Sequence, residues 1–451
     1  MRRHTTVTAL LLGLWLLTFC GCTPQQPERA QKAPASPGVL RAHLYNSGFS
    51  LSHDDYNNCY QASNGKLYYV LSVYILGAES LDTGAQMYSL DPSTGKIQHV
   101  AELTDAAGEK GLKAIPQGKV HVNFVEFTGK LYFATMNGHY TPPVEHGKRH
   151  VLPPPPGYKP YPGGHFLSYD LTTGKFEDIA KAPEGITSMT MDTQRGRLYG
   201  LTWPSGLFLR YDLGKRELKN LGPASELSEK GTGRTFGVLC RSLALNPQDG
   251  SVYYTTSAGD ILRYRYDRDA IEKVEGCSLK KDFFGCLDPN TDTMGYNWRQ
   301  AVWYAPEGVF YAVHGKSGYL FRFEPRTNRV EIAERIVSEA TRKSGMYDQF
   351  DYGYLGFTLG PDGHTLYYLT GAPHPTPVEA GEEDLELVTY HIPSRKYIDH
   401  GVVELEDGRR PFDAQSIAIG RNGIIYTVAK VKEGGHYRMD LLSFPGPSQT
   451  R

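Results

Sequence analysis

A short motif recurs seven times and constrains the fold more than any other feature of this chain. It is a glycine, two or three β-forming residues, and a tyrosine. The copies are GKLYY at Gly65, GKLYF at Gly129, GRLYG at Gly196, GSVYY at Gly250, GVFYA at Gly308, GHTLYY at Gly363 and GIIYT at Gly423. Their spacings are 64, 67, 54, 58, 55 and 60 residues. An alternating run precedes most of the glycines, as in HVNFVEF, ITSMTMD and QSIAIG, and a period of two marks half-buried strands. After each copy a further strand ends in or near an aromatic: Tyr88, Tyr169, Tyr211, Tyr264, Phe323, Tyr390 and Phe444. A tight turn and a fourth strand follow, as in STGKIQHVAEL and RTNRVEIAE.

Four short antiparallel strands per unit, repeated radially, predict an all-β chain, a seven-bladed β-propeller of four-stranded antiparallel blades. The last unit stops after LLSF, so Val39 to Ser52 is expected to supply its missing strand and close the ring. A sandwich or a β-helix fits the long period and four-strand unit less well. The abundance of Tyr (31) and Gly (49) suits a turn-rich β protein. A net charge of −1 gives no basic surface, so no nucleic-acid partner is expected.

The N-terminus predicts export. Arg2 and Arg3 precede an apolar run from Val7 to Phe19, which is too short to span a bilayer and suits a signal-peptide core. The ending FCGC resembles a lipoprotein signal over residues 1–22, with Cys22 as the lipidated residue. Ordinary secretion is the alternative. Residues 23–38 read as a Pro-rich disordered linker and 39–451 as a single propeller domain. The expected location is a membrane-anchored lipoprotein, periplasmic or at the cell surface, touching the membrane through its lipid alone. Export permits disulfides, and Cys277 with Cys286 is the expected bridge, Cys59 and Cys240 being the other candidates. Without a CxxC pair, zinc ligation is the minor alternative. No cofactor is expected, and a structural metal stays open.

Alternation of strands and turns puts the unit-to-unit connections and the longest loops on one face, where binding sites tend to lie. The residues that begin each innermost strand should ring the channel mouth there: His53, His121, Thr187 with Ser188, Arg241, Arg299, Tyr352 with Tyr354, and Asp413 with Gln415. Adjacent loops add His139, His165, Trp203, His314 and His374. Arginines bind carboxylates or sulfates by charge-assisted bonds, and aromatics offer faces to sugar rings. Each residue also has a plain structural reading, and the convergence carries the argument. No GxSxG, HExxH, phosphate loop or CxxCH is present.

The segments VHVNFVEFTGKLYFATMNGH, YPGGHFLSYDLTTGKFED and GRLYGLTWPSG are loosely similar to the seven-bladed propellers of secreted bacterial proteins, among them streptogramin-lyase-like proteins and ulvan lyases. That resemblance implies abstraction of the proton beside a uronate carboxylate by histidine, with His121 and His139 at the matching positions. Arg241 or Arg299 would neutralise the carboxylate, so the four form the expected catalytic set. His53, His165, Trp203, His314, Tyr352 and Tyr354 form the expected substrate-binding set. The expected partner is an acidic polysaccharide or other glycan. The alternatives are a non-catalytic glycan- or protein-binding propeller, and a glycosidase drawing a carboxylate pair from Asp54, Asp55, Asp351 and Asp413.

Overall fold

All seven motif glycines adopt positive φ, from 63° at Gly196 to 84° at Gly65. Glycine enters this region without steric penalty, so each copy turns an innermost strand back on the next. Thr128, beside Gly129, also has positive φ, completing the tight turn of the second unit. The motif tyrosines that follow are buried in every unit: Tyr68, Tyr132, Tyr199, Tyr253, Tyr311, Tyr367 and Tyr426.

The computed structural model describes residues 38–73, 81–139, 151–284, 287, 294–315, 317–344, 355–372, 384–434 and 436–447. The signal, Cys22, most of the linker, Cys286, Asp351, Tyr352, Tyr354 and His374 lie outside them. Among the described residues the chain is all-β, with two short helices at Leu103–Ala106 and Glu339–Ser344, and no helix is long and apolar enough to cross a membrane.

Strands pair in sequence order within units. The third unit is the most regular: Gly185–Asp192, Arg197–Trp203, Leu207–Asp212 and Glu217–Pro223 form one antiparallel sheet. The second, fourth and fifth units are likewise four-stranded, and Tyr60–Gln61 adds a strand to the first. The sixth and seventh units share one eight-stranded sheet, joined by Gly38–Tyr45. His43–Tyr45 pairs antiparallel with Leu441–Ser443, as expected of a strand completing the seventh unit. Gly38–Ala42 runs parallel to Gly401–Leu405, a pairing the sequence did not suggest. The expected strand ends at Tyr45 because Ser47 instead donates its backbone N–H to Asp440 Oδ1 at 3.1 Å.

Each unit packs on the next. Val70, Val122, Phe133, Ile186 and Leu198 tie the first three units together. Tyr199, Tyr254, Trp298 and Phe310 tie the third, fourth and fifth. Tyr311 with Tyr368 joins five to six, and Leu387 with Val431 joins six to seven. Leu67, Tyr69 and Leu71 of the first unit pack against Tyr426, Val428 and Leu441 of the last. A fully buried aromatic or leucine contributes about 1.5–3 kcal/mol, so these interfaces hold the sheets face to face.

Two local expectations are corrected. HVNFVEF reads as one strand, but only Val125–Phe127 enters the ladder. Upstream, the carbonyl of Val120 accepts from Asn58 Nδ2, at 3.3 Å, rather than from a neighbouring strand. His121 and His139, joined above in the expected catalytic set, are set apart along the chain pairing. Lys119 bridges Met136, which leaves His121 and His139 on opposite sides of that bridge. The Pro-rich segment 141–164, TPPVEHGKRHVLPPPPGYKPYPGG, forms no strand over its described residues 151–164, as its composition predicts. It is still docked: Lys159 donates to Lys113 O at 2.7 Å, and Tyr161 donates to Gln117 Oε1 at 2.7 Å.

Candidate functional site

Bulges at one recurring position aim side chains toward the axis. The register shifts between Ser52 and Asp54, between Ile186 and Ser188, and between Trp298 and Gln300. The extra residues are His53, Thr187 and Arg299, three of those the sequence places at the channel mouth. A bulge re-aims a side chain in this way.

His121, Arg241 and Arg299 meet here. His121 Nδ1 donates to Thr187 O at 2.9 Å, which fixes the tautomer and leaves Nε2 as the lone-pair nitrogen. Its ring stacks on Tyr56, with centroids 4.3 Å apart. Burial, then the charges of Arg241, Lys119 and Arg299, hold His121 well below the usual histidine range and outweigh the bond to Thr187. At neutral pH the ring is neutral and surrounded by cations from three units. Lys119 Nζ lies 4.6 Å above the Tyr56 ring and 3.1 Å from Asp54 Oδ2. Burial alone would raise Asp54, but Lys119 and His53 hold it well below the usual carboxylate range.

Arg241 pairs with Glu229 at 2.6 Å, and Glu229 also accepts from Trp203 Nε1 at 2.6 Å and from the Leu239 backbone at 3.0 Å. Arg299 donates to Gln415 Oε1 at 3.2 Å, and Gln415 donates to Asp413 Oδ1 at 2.7 Å. Asp413 lies 2.5 Å from Lys430. Asn57 is buried and joins the first, fifth and seventh units. Its backbone N–H donates to Gln415 O at 3.0 Å and its side chain accepts from Gln300 Nε2 at 2.8 Å, while Gln300 accepts from Ser242. Asn57 takes a left-handed backbone, φ 62°, which lets the chain cross there.

Other expected site residues are engaged elsewhere. His165 is buried with Nε2 2.9 Å from Glu109 and Nδ1 3.0 Å from Asp178. His314 is buried against Phe284, with Nε2 3.0 Å from Gly295 O and Nδ1 2.8 Å from Ser317 Oγ. Trp203 is buried and holds Glu229, so its ring is not presented to a sugar. His139 is buried beside Asn137, whose side chain accepts from its backbone N–H at 2.6 Å. His53 is half exposed and bonded to Asp54 at 2.9 Å. The carboxylates Asp54 and Asp55 are split in charge, since burial pushes Asp55 up to about 8. Asp55 is nonetheless enclosed, accepting from Ser416. Cys59 and Cys240 are buried thiols and Cys277 is half buried.

Sequence reading missed Tyr56 and Lys119. The run DDYNN at 54–58 breaks the alternation of its unit with five polar or amphipathic residues. Such a run at an innermost strand marks a polar junction, and that signal was legible.

No family model matches the chain, and no curated protein matches it. Solved structures do. The periplasmic gluconolactonase of Pseudomonas aeruginosa is 14% identical, with 84% of this chain and 97% of that chain covered, at a TM-score of 0.51. The extracellular domain of a hybrid two-component system from B. thetaiotaomicron is 13% identical, with 89% of this chain covered, at a TM-score of 0.50. The chain spans 39% of the length of that protein. The fold is a β-propeller. Likeness at this identity carries the propeller architecture and no activity. Among the described residues of the propeller, no group of three His, Cys, Asp or Glu side chains could hold a metal.

Proposed function

We propose that this is an exported seven-bladed propeller, its ring closed by the N-terminal strand, that binds a carboxylated saccharide at the axial cluster of Tyr56, Lys119, His121, Arg241 and Arg299. One observation carries the reading: three cations from three units converge on a neutral histidine stacked beneath a half-buried tyrosine. Guanidinium groups recognise an anion by charge-assisted bonds, here beside their partners Glu229 and Gln415. Packing of the first unit on the last supports a closed ring. The signal-like residues 1–22 support export, with Cys22 as the proposed lipid site; the two similar proteins are named as periplasmic and extracellular.

Calorimetric titration with uronate saccharides tests this. Wild type should bind carboxylated sugars and not their neutral counterparts, and Arg299→Gln should weaken binding at least about tenfold, a loss of about 1.4 kcal/mol. Circular dichroism checks the variant's fold. Failure of every carboxylated sugar to bind wild type overturns the reading.

Elimination at a uronate is the second reading, favoured by the bond from His121 Nδ1–H to Thr187, which leaves Nε2 to accept a proton. It ranks second because burial and three cations make that nitrogen a weak base. A rise in the ultraviolet band of unsaturated uronates, absent in His121→Ala, would establish it. Binding with no such rise leaves a binding propeller.

A further inference from the structure

We infer that the segment joining the fifth and sixth units is held by a proton-dependent latch, in which Glu386 and Asp399 share one proton and so keep Asp399 on the backbone of Glu339. The sixth unit carries three carboxyl groups on its two outer strands, Asp384 and Glu386 on Asp384–His391 and Asp399 on Lys396–Leu405. All three are enclosed, at 6%, 7% and 6% exposed. Asp384 is paired with Arg410 Nη1 at 2.6 Å, and Arg410 Nε lies 3.5 Å from Glu404. Asp399 is turned to the backbone instead: Oδ1 accepts from Gly401 N–H at 2.8 Å and Oδ2 from Glu339 N–H at 2.6 Å. Glu386 lies within hydrogen-bond reach of Asp399. Its Oε2 is buried and meets no donor among the described residues, which suits an oxygen that carries the proton itself.

The other anchors of this segment on the sixth unit are neutral. Thr341 Oγ1 donates to Gly371 O at 3.1 Å, and Tyr397 donates to Val337 O. The remaining charged groups around the pair have their own contacts. Arg342 lies 4.1 Å over the Tyr397 ring, 3.4 Å from Glu334 and 3.9 Å from Glu339, and His400 meets Thr389 at 2.8 Å. Burial, then the charge of Asp399, with Asp384 adding to it, raises Glu386 to about 8. Taking the proton away sets two carboxylates side by side out of water, and the strain is relieved when they part. Parting frees the Glu339 N–H and opens the contact. Opening therefore releases a proton. Closure weakens as pH rises from the ordinary glutamate value, about 4.3, toward about 8, and levels off above that.

Hydrogen exchange of the full chain tests this, read by mass spectrometry on peptides covering 336–344 and, as reference, the third-unit strand Arg197–Trp203. With chemical exchange rates corrected for pH, protection of 336–344 should fall at least about tenfold between about pH 6 and about pH 8.5, and the reference should not change. Glu386→Gln, whose amide donates to Asp399 at every pH, should keep that protection level. Asp399→Asn leaves one carboxyl group of the pair and should likewise abolish the pH dependence. Flat protection in wild type, or a fall that persists in both variants, overturns the inference. A fall shared equally by the reference strand marks general unfolding and overturns it as well.

Discussion

Replacing His165 by glutamine should change stability by an amount that depends on pH, and the structure sets the sign and size. The imidazole is 3% exposed and lies between two carboxylates, Glu109 Oε1 at 2.9 Å and Asp178 Oδ1 at 3.0 Å. Nε2 bonds to Glu109 and Nδ1 faces Asp178 as an ion pair, and only the imidazolium carries a proton on both nitrogens. Burial opposes the charge, but Asp178 and Glu109 outweigh it and raise the histidine above its ordinary value. Glu109 responds in the opposite direction. Burial would raise it, yet His165, Lys181 and Gln117 bring it down to about 2. Lys181 stands 2.6 Å from Glu109 and Gln117 2.7 Å, so the carboxylate keeps partners when the ring is removed.

A hydrogen bond to a buried charged group contributes about 1.5–3 kcal/mol. The bond to Asp178 counts for less, ~0–1 kcal/mol, because that carboxylate is 42% exposed and screened by water. His165→Gln should therefore lose roughly 2–4 kcal/mol where the ring is charged. Because the folded value lies above the unfolded one, near 6.5, the contribution is complete below about pH 6.5 and is lost as pH rises through the folded value. The assay is urea unfolding of wild type and variant from about pH 5.5 to 9, a window in which Glu109 stays ionised. The gap should be widest at the acid end and close toward the alkaline end, where a neutral ring turns a lone pair toward one carboxylate. A gap that is constant over this range refutes the charged histidine held between two carboxylates.

Asp55→Asn should match wild type near pH 4 and become the more stable protein by about 2–5 kcal/mol near pH 9, measured by urea unfolding; burial puts the folded Asp55 at about 8, so wild type loses stability as pH rises from the unfolded value. Lys119→Met should destabilise by roughly 3 kcal/mol, because it leaves the buried Asp54 carboxylate with only the half-exposed His53; a thermal midpoint equal to wild type would contradict the pairing. Arg395→Gly should stabilise by about 0.5–1 kcal/mol, since Arg395 occupies an exposed turn at φ 55°, where a side chain is strained; an unchanged or lower midpoint would count against strain there.

The architecture was legible because it rests on local chemistry repeated seven times. Glycine at each inner turn needs positive φ, the tyrosine after it needs burial, and the alternation of each strand states which face packs. None of these depends on a distant residue. Counting along the innermost strands also reached Thr187, Arg241, Arg299 and Gln415, which the structure brings to His121 or to one another. The parallel pairing of Gly38–Ala42 with Gly401–Leu405 was not legible. It joins segments more than 350 residues apart, and no turn or periodic signal encodes a partner at that distance.

The site failed to be legible wherever a polar residue on the page had a partner that only the fold supplies. His165, His314 and Trp203 look alike in sequence to His121: single aromatic donors beside strand ends. In the structure the first three are enclosed, with their ring nitrogens turned to acceptors within the protein. His121 differs through its neighbours, for Tyr56 and Lys119 come from a polar run and a lead-in segment whose pattern predicts no contact between them. What distinguishes His121 from His165 is the sign of the surrounding charge. His165 faces carboxylates and becomes a cation that secures a loop, whereas His121 faces Arg241, Lys119 and Arg299 and stays neutral among cations. The first arrangement satisfies itself. The second gathers cations from three units, with Asp54 and Glu229 beside them, and the proposed function rests on His121 and these neighbours.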